Sequence, residues 1–244
     1  MSLSQKTKEI ILGSVLGDGS LKIHSGYKNA RFSFRHSVIQ KSYFYWKVDQ
    51  LSDVSAQKSV FKQDNKNGDF GSNDKLRFQS SALPELTELF ELIHKEGKFV
   101  VDRSWLNELT GLSLALWWLD DGAIISNGRK GVLCTDGFSR LSNEALACYL
   151  KDVWKIDVKI GIVRGEKEYY RLYFYSSKEL KKFLRIILPY IEVKEMIYKA
   201  LLLYKDAQFQ QRWISEVTKL SGFQKSTIKK KVENRKSRWK KFRE

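Results

Sequence analysis

The chain has 244 residues, 42% of them hydrophobic and 13% aromatic, which is enough for one large domain or two of ordinary size and excludes a disordered body. Lys and Arg exceed Asp and Glu by 16, and the pI lies near 9.7, so the partner is a polyanion: nucleic acid first, an anionic membrane surface second. The sequence has no apolar run near the roughly 18 residues that cross a bilayer, no signal-peptide core at its polar start, and no metal spacing among Cys134, Cys148, His24, His36 and His94, which reads as a reduced intracellular protein with buried thiols.

In chain order, the first strong signal is the apolar run Ile11–Leu16, followed by Gly17-Asp18-Gly19. About a hundred residues later Leu114–Leu119 is followed by Asp120-Asp121-Gly122. Each run predicts a buried helix that ends in a carboxylate. The macrodipole is negative there, so the acid is disfavoured unless a cation is bound. Two such helices packed together suit divalent metal ions. Gly13 and Gly17 are four apart and permit close helix approach. Aligning the two runs sets Leu116 opposite Gly13, with Ser113 and Ala115 as the small residues of the second helix.

Strands follow. Arg31–Arg35, Lys75–Gln79 and Arg171–Tyr175 alternate aromatic or aliphatic residues with polar ones. Period two sends the two sets to opposite faces of a sheet. Leu76, Phe78, Leu172 and Phe174 are predicted to face helices. Arg31, Ser33, Arg35, Lys75, Arg77, Gln79, Arg171, Tyr173 and Tyr175 are predicted to form an open face for nucleic acid, where Arg and Gln read purine edges in the major groove. Lys75–Ser81 and Arg171–Ser177 resemble one another, and each runs through Ser-Ser into a helical stretch, Ala82–His94 and Lys178–Leu188. Pro84 suits an early helical position. Asp64–Asp74 is a turn-rich connection, and Ser126–Arg129 a hairpin turn.

The pattern therefore reads as a duplication. The expected fold is α+β: two pseudo-symmetric αββαββα units, 1–100 and 101–204, forming a saddle of antiparallel sheets, with a basic helical extension at 205–244. That extension carries thirteen Lys or Arg against four Asp or Glu. Ile214–Val232 resembles a helix-turn-helix, with Ser226 as a possible cap and Lys225, Lys229 and Lys230 as DNA contacts. A basic tail that wraps the backbone without reading bases is the alternative.

The paired Asp-Gly segments, the alternating basic strands and the duplicated unit together resemble a single-chain LAGLIDADG homing endonuclease over residues 5–204. The resemblance implies that the final acid of each motif, Asp18 and Asp121, binds the catalytic metals, with Gly17 and Asp120 beside them. Asp120 falls where Gly17 falls, so its backbone carbonyl is the expected contributor. A lysine from each half is implied near the scissile phosphates: Lys98 and Lys199, 101 residues apart where the acids are 103 apart. The polar residue that ends the first strand pair in the family is His36 here, with Gln40 a turn on, and Asp136 in the second half. An ordinary sheet-edge histidine is the other reading of His36.

The implied function is a staggered, metal-dependent double-strand break at a long asymmetric target, as in intron homing. Mg²⁺ is the expected cofactor, with Mn²⁺ substituting and Ca²⁺ supporting binding without cleavage. The expected partner is double-stranded DNA, bound by a monomer in an organelle or in a bacterial or phage cytoplasm, with no membrane. A group I intron RNA maturase on the same scaffold, with intron RNA as partner, and a DNA-binding regulator with an inactive site are the alternatives.

Overall fold

A computed structural model describes residues 2–64, 73–126, 128–165, 167–239 and 242. By its internal contacts the chain separates into two compact units, Met1–Asp120 and Asp121–Glu244.

The first unit opens with α1 (Gln5–Val15), β1 (Gly19–Lys22), β2 (Arg31–Ser37), α2 (Lys41–Gln50), β3 (Val60–Gln63) and β4 (Lys75–Gln79). It continues with α3 (Pro84–Ile93), the short hairpin β5 (His94–Lys95) and β6 (Lys98–Phe99), α4 (Arg103–Leu106) and α5 (Gly111–Asp121), whose last residue begins the second unit. Its four-stranded sheet runs β1-β2-β4-β3, every neighbour antiparallel. Ser4 caps α1 by accepting from Thr7 N at 3.2 Å, and Pro84 opens α3. The β5–β6 hairpin was not visible as a strand pair. It rests on Glu96 and Gly97, both at positive φ (52° and 73°), the backbone of a tight two-residue turn.

The second unit repeats this order with β7 (Gly122–Ile125), β8 (Lys130–Leu133), α6 (Arg140–Asp152), β9 (Lys159–Arg164), β10 (Glu168–Phe174) and α7 (Ser177–Ile187). Its sheet runs β7-β8-β10-β9, the counterpart of the first, and is again antiparallel. Ser176 caps α7 by accepting from Lys178 N and Glu179 N. A 3-10 turn, Met196–Ala200, leads through Leu201–Tyr204 into α8 (Ala207–Ser221) and α9 (Lys225–Arg238).

The period-two prediction holds in both sheets. Phe32, Phe34, Leu76, Phe78, Leu172 and Phe174 are buried, and the residues between them are half-buried or exposed. The expected turn at 126–129 joins β7 to β8, although Asn127 lies outside the described residues. So do residues 65–72 of the turn-rich stretch. Ser226 does not cap α9: Gln224 holds that position, without a side-chain bond. The thiols also differ from expectation, Cys134 being half-buried and Cys148 exposed. No helix among the described residues is long and apolar enough to cross a membrane.

Within the first unit, α1 lies on α5 through glycine. A Cβ on Gly13 would stand 2.4 Å from Ser113 O, and one on Gly17 would stand 2.6 Å from Asp120 Cβ. The small residue that receives Gly13 is thus Ser113, one turn before the Leu116 that motif alignment set opposite it. Ser113 Oγ also donates to Glu9 O at 2.9 Å, which ties the two backbones together. Gly13→Ala is expected to lower stability by about 1–3 kcal/mol through overpacking. Gly137→Ala, where a Cβ meets nothing within 4 Å, is expected to be near neutral. Urea denaturation of both variants measures this, and equal midpoints would remove the close-packing argument.

Candidate metal and nucleic-acid site

In the first unit four elements bring charged groups to one place. Asp18 stands in the turn after α1, β2 carries His36, α2 carries Tyr43 and Lys47 on one face at i and i+4, and Asp120 lies in the last turn of α5. The Asp120 side chain is fully buried. At a helix C-terminus an unpartnered anion is unfavourable, and burial removes the screening of water. The partners are correspondingly complete. Lys47 Nζ lies 3.0 Å from both carboxylate oxygens, and Tyr43 OH donates to Oδ1 at 2.8 Å. Lys47 is itself fully buried, with its ammonium over the rings of Phe34 and Tyr43 at 4.7 and 5.0 Å. Burial, then the charge of Asp120, pushes the Tyr43 phenol well above its ordinary pKa, so it remains a donor.

His36 is not a solvent-facing edge residue. Its ring is buried against Phe34, Tyr43 and Phe44. Nδ1 is 3.3 Å from Asp18 Oδ2 and Nε2 is 3.8 Å from Asp120 Oδ1, with neither nitrogen in hydrogen-bond geometry. Asp18, at 43% side-chain exposure, is the acid of this cluster that reaches solvent. Its backbone N–H lies 3.4 Å from Asp120 Oδ2.

Asp18, His36 and Asp120 each offer a ligand atom within 4.8 Å of the others. The donor set nevertheless divides. Lys47 already neutralises Asp120, and imidazole is a poor partner for a hard cation. Asp18 fits Mg²⁺, which commonly takes one or two carboxylates, waters and substrate phosphates. The structure brings Asp18, His36, Asp120 and Gly17 together. Gln40 ends the 3-10 turn Val38–Gln40 ahead of α2, outside the ligand cluster. Lys98 is exposed beside the positive-φ turn of the β5–β6 hairpin.

In the second unit Asp121 ends α5, and its carbonyl accepts from Cys134 N at 3.1 Å. Asp136 receives a two-pronged bond from Arg171 of β10, at 2.6 and 2.7 Å. That bond raises the Arg171 pKa and engages a guanidinium that the alternation pattern had assigned to nucleic acid. Burial pushes the Cys134 thiol up. The charges of Arg171 and Lys199 pull it down, and those of Asp136 and Asp121 push it up. The four candidate groups of this unit are therefore electrostatic neighbours of one thiol. Lys199 itself lies half-buried on the turn Met196–Ala200.

The outer face of the first sheet is basic. Across strands Ser33 opposes Gln79, Arg35 opposes Arg77, Lys22 opposes Arg31 and Ser37 opposes Lys75. Like charges directly opposite one another destabilise a sheet, so this register suits a face that meets a polyanion. Nε of Arg31 and of Arg77 is buried without a hydrogen-bond partner. The second sheet is aromatic instead. Tyr173 and Tyr175 stack at 5.3 Å and 4°, Lys130 lies over Tyr175, and Tyr173 covers Gly161, where a Cβ would stand 2.4 Å from the ring. On α9, Lys225, Lys229 and Lys230 are exposed while Ile228 and Val232 are buried.

The sequence profile described as the LAGLIDADG DNA endonuclease family matches residues 8–183. The chain belongs to this family. Among the relatives of this LAGLIDADG protein, the protein RecA of Mycobacterium gastri is 30% identical over 214 residues, covering 82% of this chain and 48% of RecA. The cytochrome b mRNA maturase bI2 of Saccharomyces cerevisiae is 29% identical over 211 residues, 81% of this chain and 48% of its own. The DNA endonuclease I-ChuI of Chlamydomonas applanata is 24% identical over 181 residues, 66% and 78% respectively. The chain thus spans about half the length of the first of these curated relatives. In fold it is similar to the homing endonuclease I-WcaI bound to its DNA recognition sequence, with TM-score 0.71, 23% identity and coverage of 84% and 89%.

Tyr43 and Lys47 were not singled out in the sequence. The available signal was a lysine one turn beyond a tyrosine in the aromatic stretch Tyr43–Trp46. Lys47→Met is expected to cost about 3–5 kcal/mol, because it leaves Asp120 buried and uncompensated. Adding Asp120→Asn should recover most of the loss. Chemical denaturation of the two variants decides it, and a single variant as stable as the parent would contradict the pairing.

Proposed function

We propose that this LAGLIDADG protein is a site-specific endonuclease that makes a metal-dependent, staggered double-strand break in a long asymmetric DNA target. The observation that carries this reading is the division of labour at the first motif. The Asp120 side chain is buried and bonded to Lys47, while the Asp18 carboxylate, 43% exposed, reaches solvent. Asp18 and Asp121, each following a buried apolar run, fit Mg²⁺, with Mn²⁺ able to substitute and Ca²⁺ able to support binding alone. A bound divalent ion supplies a more acidic water and neutralises charge at the phosphate.

The remaining roles fall to the chain itself. Lys98 and Lys199 place ammonium charge where negative charge develops on the phosphates. His36 stands beside Asp18 from β2, Asp136 in the turn after β8 is its counterpart in the second unit, and Gln40 precedes α2. His36 also walls off Asp18 from the core through its contacts with Phe34 and Tyr43. Arg31, Ser33, Arg35, Lys75, Arg77 and Gln79 supply backbone and purine-edge contacts. Tyr173 and Tyr175 supply an aromatic surface, with Arg171 oriented by Asp136. The unequal faces suit unequal half-sites.

A second reading has its own support: one relative is named as a cytochrome b mRNA maturase. Incubation of supercoiled plasmid bearing the native insertion junction separates the two. Mg²⁺-dependent linearisation supports the nuclease, and splicing rescue without cleavage supports the maturase.

Asp18→Asn and Asp121→Asn are each expected to abolish double-strand cleavage while sparing most DNA affinity. Full linearisation by either variant would remove the assignment. Lys229→Gln with Lys230→Gln is expected to weaken binding across all sequences and to reduce the slope of log affinity against log salt by up to about 2. Fluorescence anisotropy over a salt series measures it, and an unchanged slope would take α9 out of the interface.

A further inference from the structure

The C-terminal extension looks, by charge alone, like a DNA-binding appendage. Its contacts within the second unit indicate a second task. The chain from Tyr198 to Tyr204 is irregular after its 3-10 turn, yet Ala200, Leu201, Leu202 and Leu203 are 0% exposed. Irregular buried backbone leaves carbonyls and amides without sheet or helix partners, at a cost of about 1–3 kcal/mol for each unsatisfied group.

Here side chains of α8 and α9 take those groups one by one. Trp213 Nε1 donates to Ala200 O at 3.2 Å. Gln210 Nε2 donates to Leu202 O at 3.1 Å, while its Oε1 accepts from Tyr204 N at 2.9 Å. Arg235 Nη1 donates to Leu201 O at 3.0 Å and also to Tyr198 O. Backbone bonds add to these: Leu203 N donates to Gly128 O at 2.8 Å and Leu201 N to Tyr198 O at 3.3 Å.

Lys199 sits between the two carbonyls that share the Arg235 guanidinium. We propose that α8 and α9 are the positioning element of Lys199, with Arg235 as its principal positioning residue. The inference rests on the reading of Lys199 as a phosphate-facing lysine. Three features support it. The guanidinium is held by neutral carbonyls, and its desolvation lowers its pKa, a burial that a charge placed only for solvent or DNA does not need. Ile228 and Val232 seat α9 on the body of the unit. Both helices bond to the same irregular stretch, α8 through Gln210 and Trp213 and α9 through Arg235. A lysine fixed within a fraction of an ångström is worth far more to a reaction than one on a free turn.

The test uses the full-length protein and a DNA target selected by wild-type cleavage from a randomised library. Single-turnover cleavage is resolved by strand, with DNA affinity and thermal unfolding measured alongside. Arg235→Ala is expected to slow cleavage of one strand by about tenfold or more while affinity stays within about threefold. That strand should be the one slowed by Lys199→Met, and Arg235→Lys should recover part of the rate. Hydrogen exchange at residues 199–204 should quicken in Arg235→Ala.

If Arg235→Ala fails to fold, Trp213→Phe, which removes the bond to Ala200 O together with part of a buried indole, carries the same readouts. Lys199→Met slow with Arg235→Ala at the wild-type rate overturns the positioning role. A loss in Arg235→Ala that is equal on both strands and tracks a loss of affinity also overturns it, as a plain DNA contact. Lys199→Met cutting normally instead removes the functional reading of Lys199 on which the inference stands.

Discussion

The buried pair Lys47–Asp120 is the constraint around which the first unit is arranged. A carboxylate at a helix C-terminus, out of water, can be kept only with a full partner set. The ammonium, the Tyr43 hydroxyl and the Asp18 backbone N–H converge on it. Because those groups come from α2 and the turn after α1 while the anion belongs to α5, satisfying it fixes three elements. Asp18 is held at the rim of that arrangement, with its carboxylate facing solvent and its main chain tied to Asp120. The geometry available for chemistry is a by-product of solving a desolvation problem.

The two sheets show how one topology can present different chemistry. Strand order and the inward residues repeat between the units, but the outward sets do not. One face opposes Arg35 to Arg77; the other stacks Tyr173 on Tyr175 and satisfies Arg171 with Asp136. The inward positions of a repeat are constrained by packing, whereas the outward positions are free to follow a partner.

Much of this was legible in the sequence, for a definable reason. Strict alternation in Arg31–Arg35 and Lys75–Gln79 has a single structural meaning, and the paired Asp-Gly segments located both motif helices. The same alternation, extended one step, puts His36 on the face of Phe32 and Phe34, so its burial was readable though not read. Arg235 was not readable, and Lys47 showed only as a lysine one turn beyond a tyrosine. A charged residue in a sequence looks solvated, and only the tertiary fold reveals that a buried anion or a set of orphaned carbonyls waits for it. Ser113 was visible as a small residue but not as the partner of Gly13: matching motifs aligns residues by sequence, whereas helices meet where small side chains permit.

Asp120 and Asp121 are neighbours on one helix, and successive residues of a helix point about 100° apart. With Asp120 directed at Lys47, Asp121 necessarily faces elsewhere. The motif helix therefore tolerates changes of side chain better than changes of length. Deletion of a single residue within Leu114–Leu119 would bring Asp121 opposite Lys47 and turn Asp120 away, and an insertion would set Leu119 there instead. Drift in this segment is confined to point replacement, whatever happens in the loops around it.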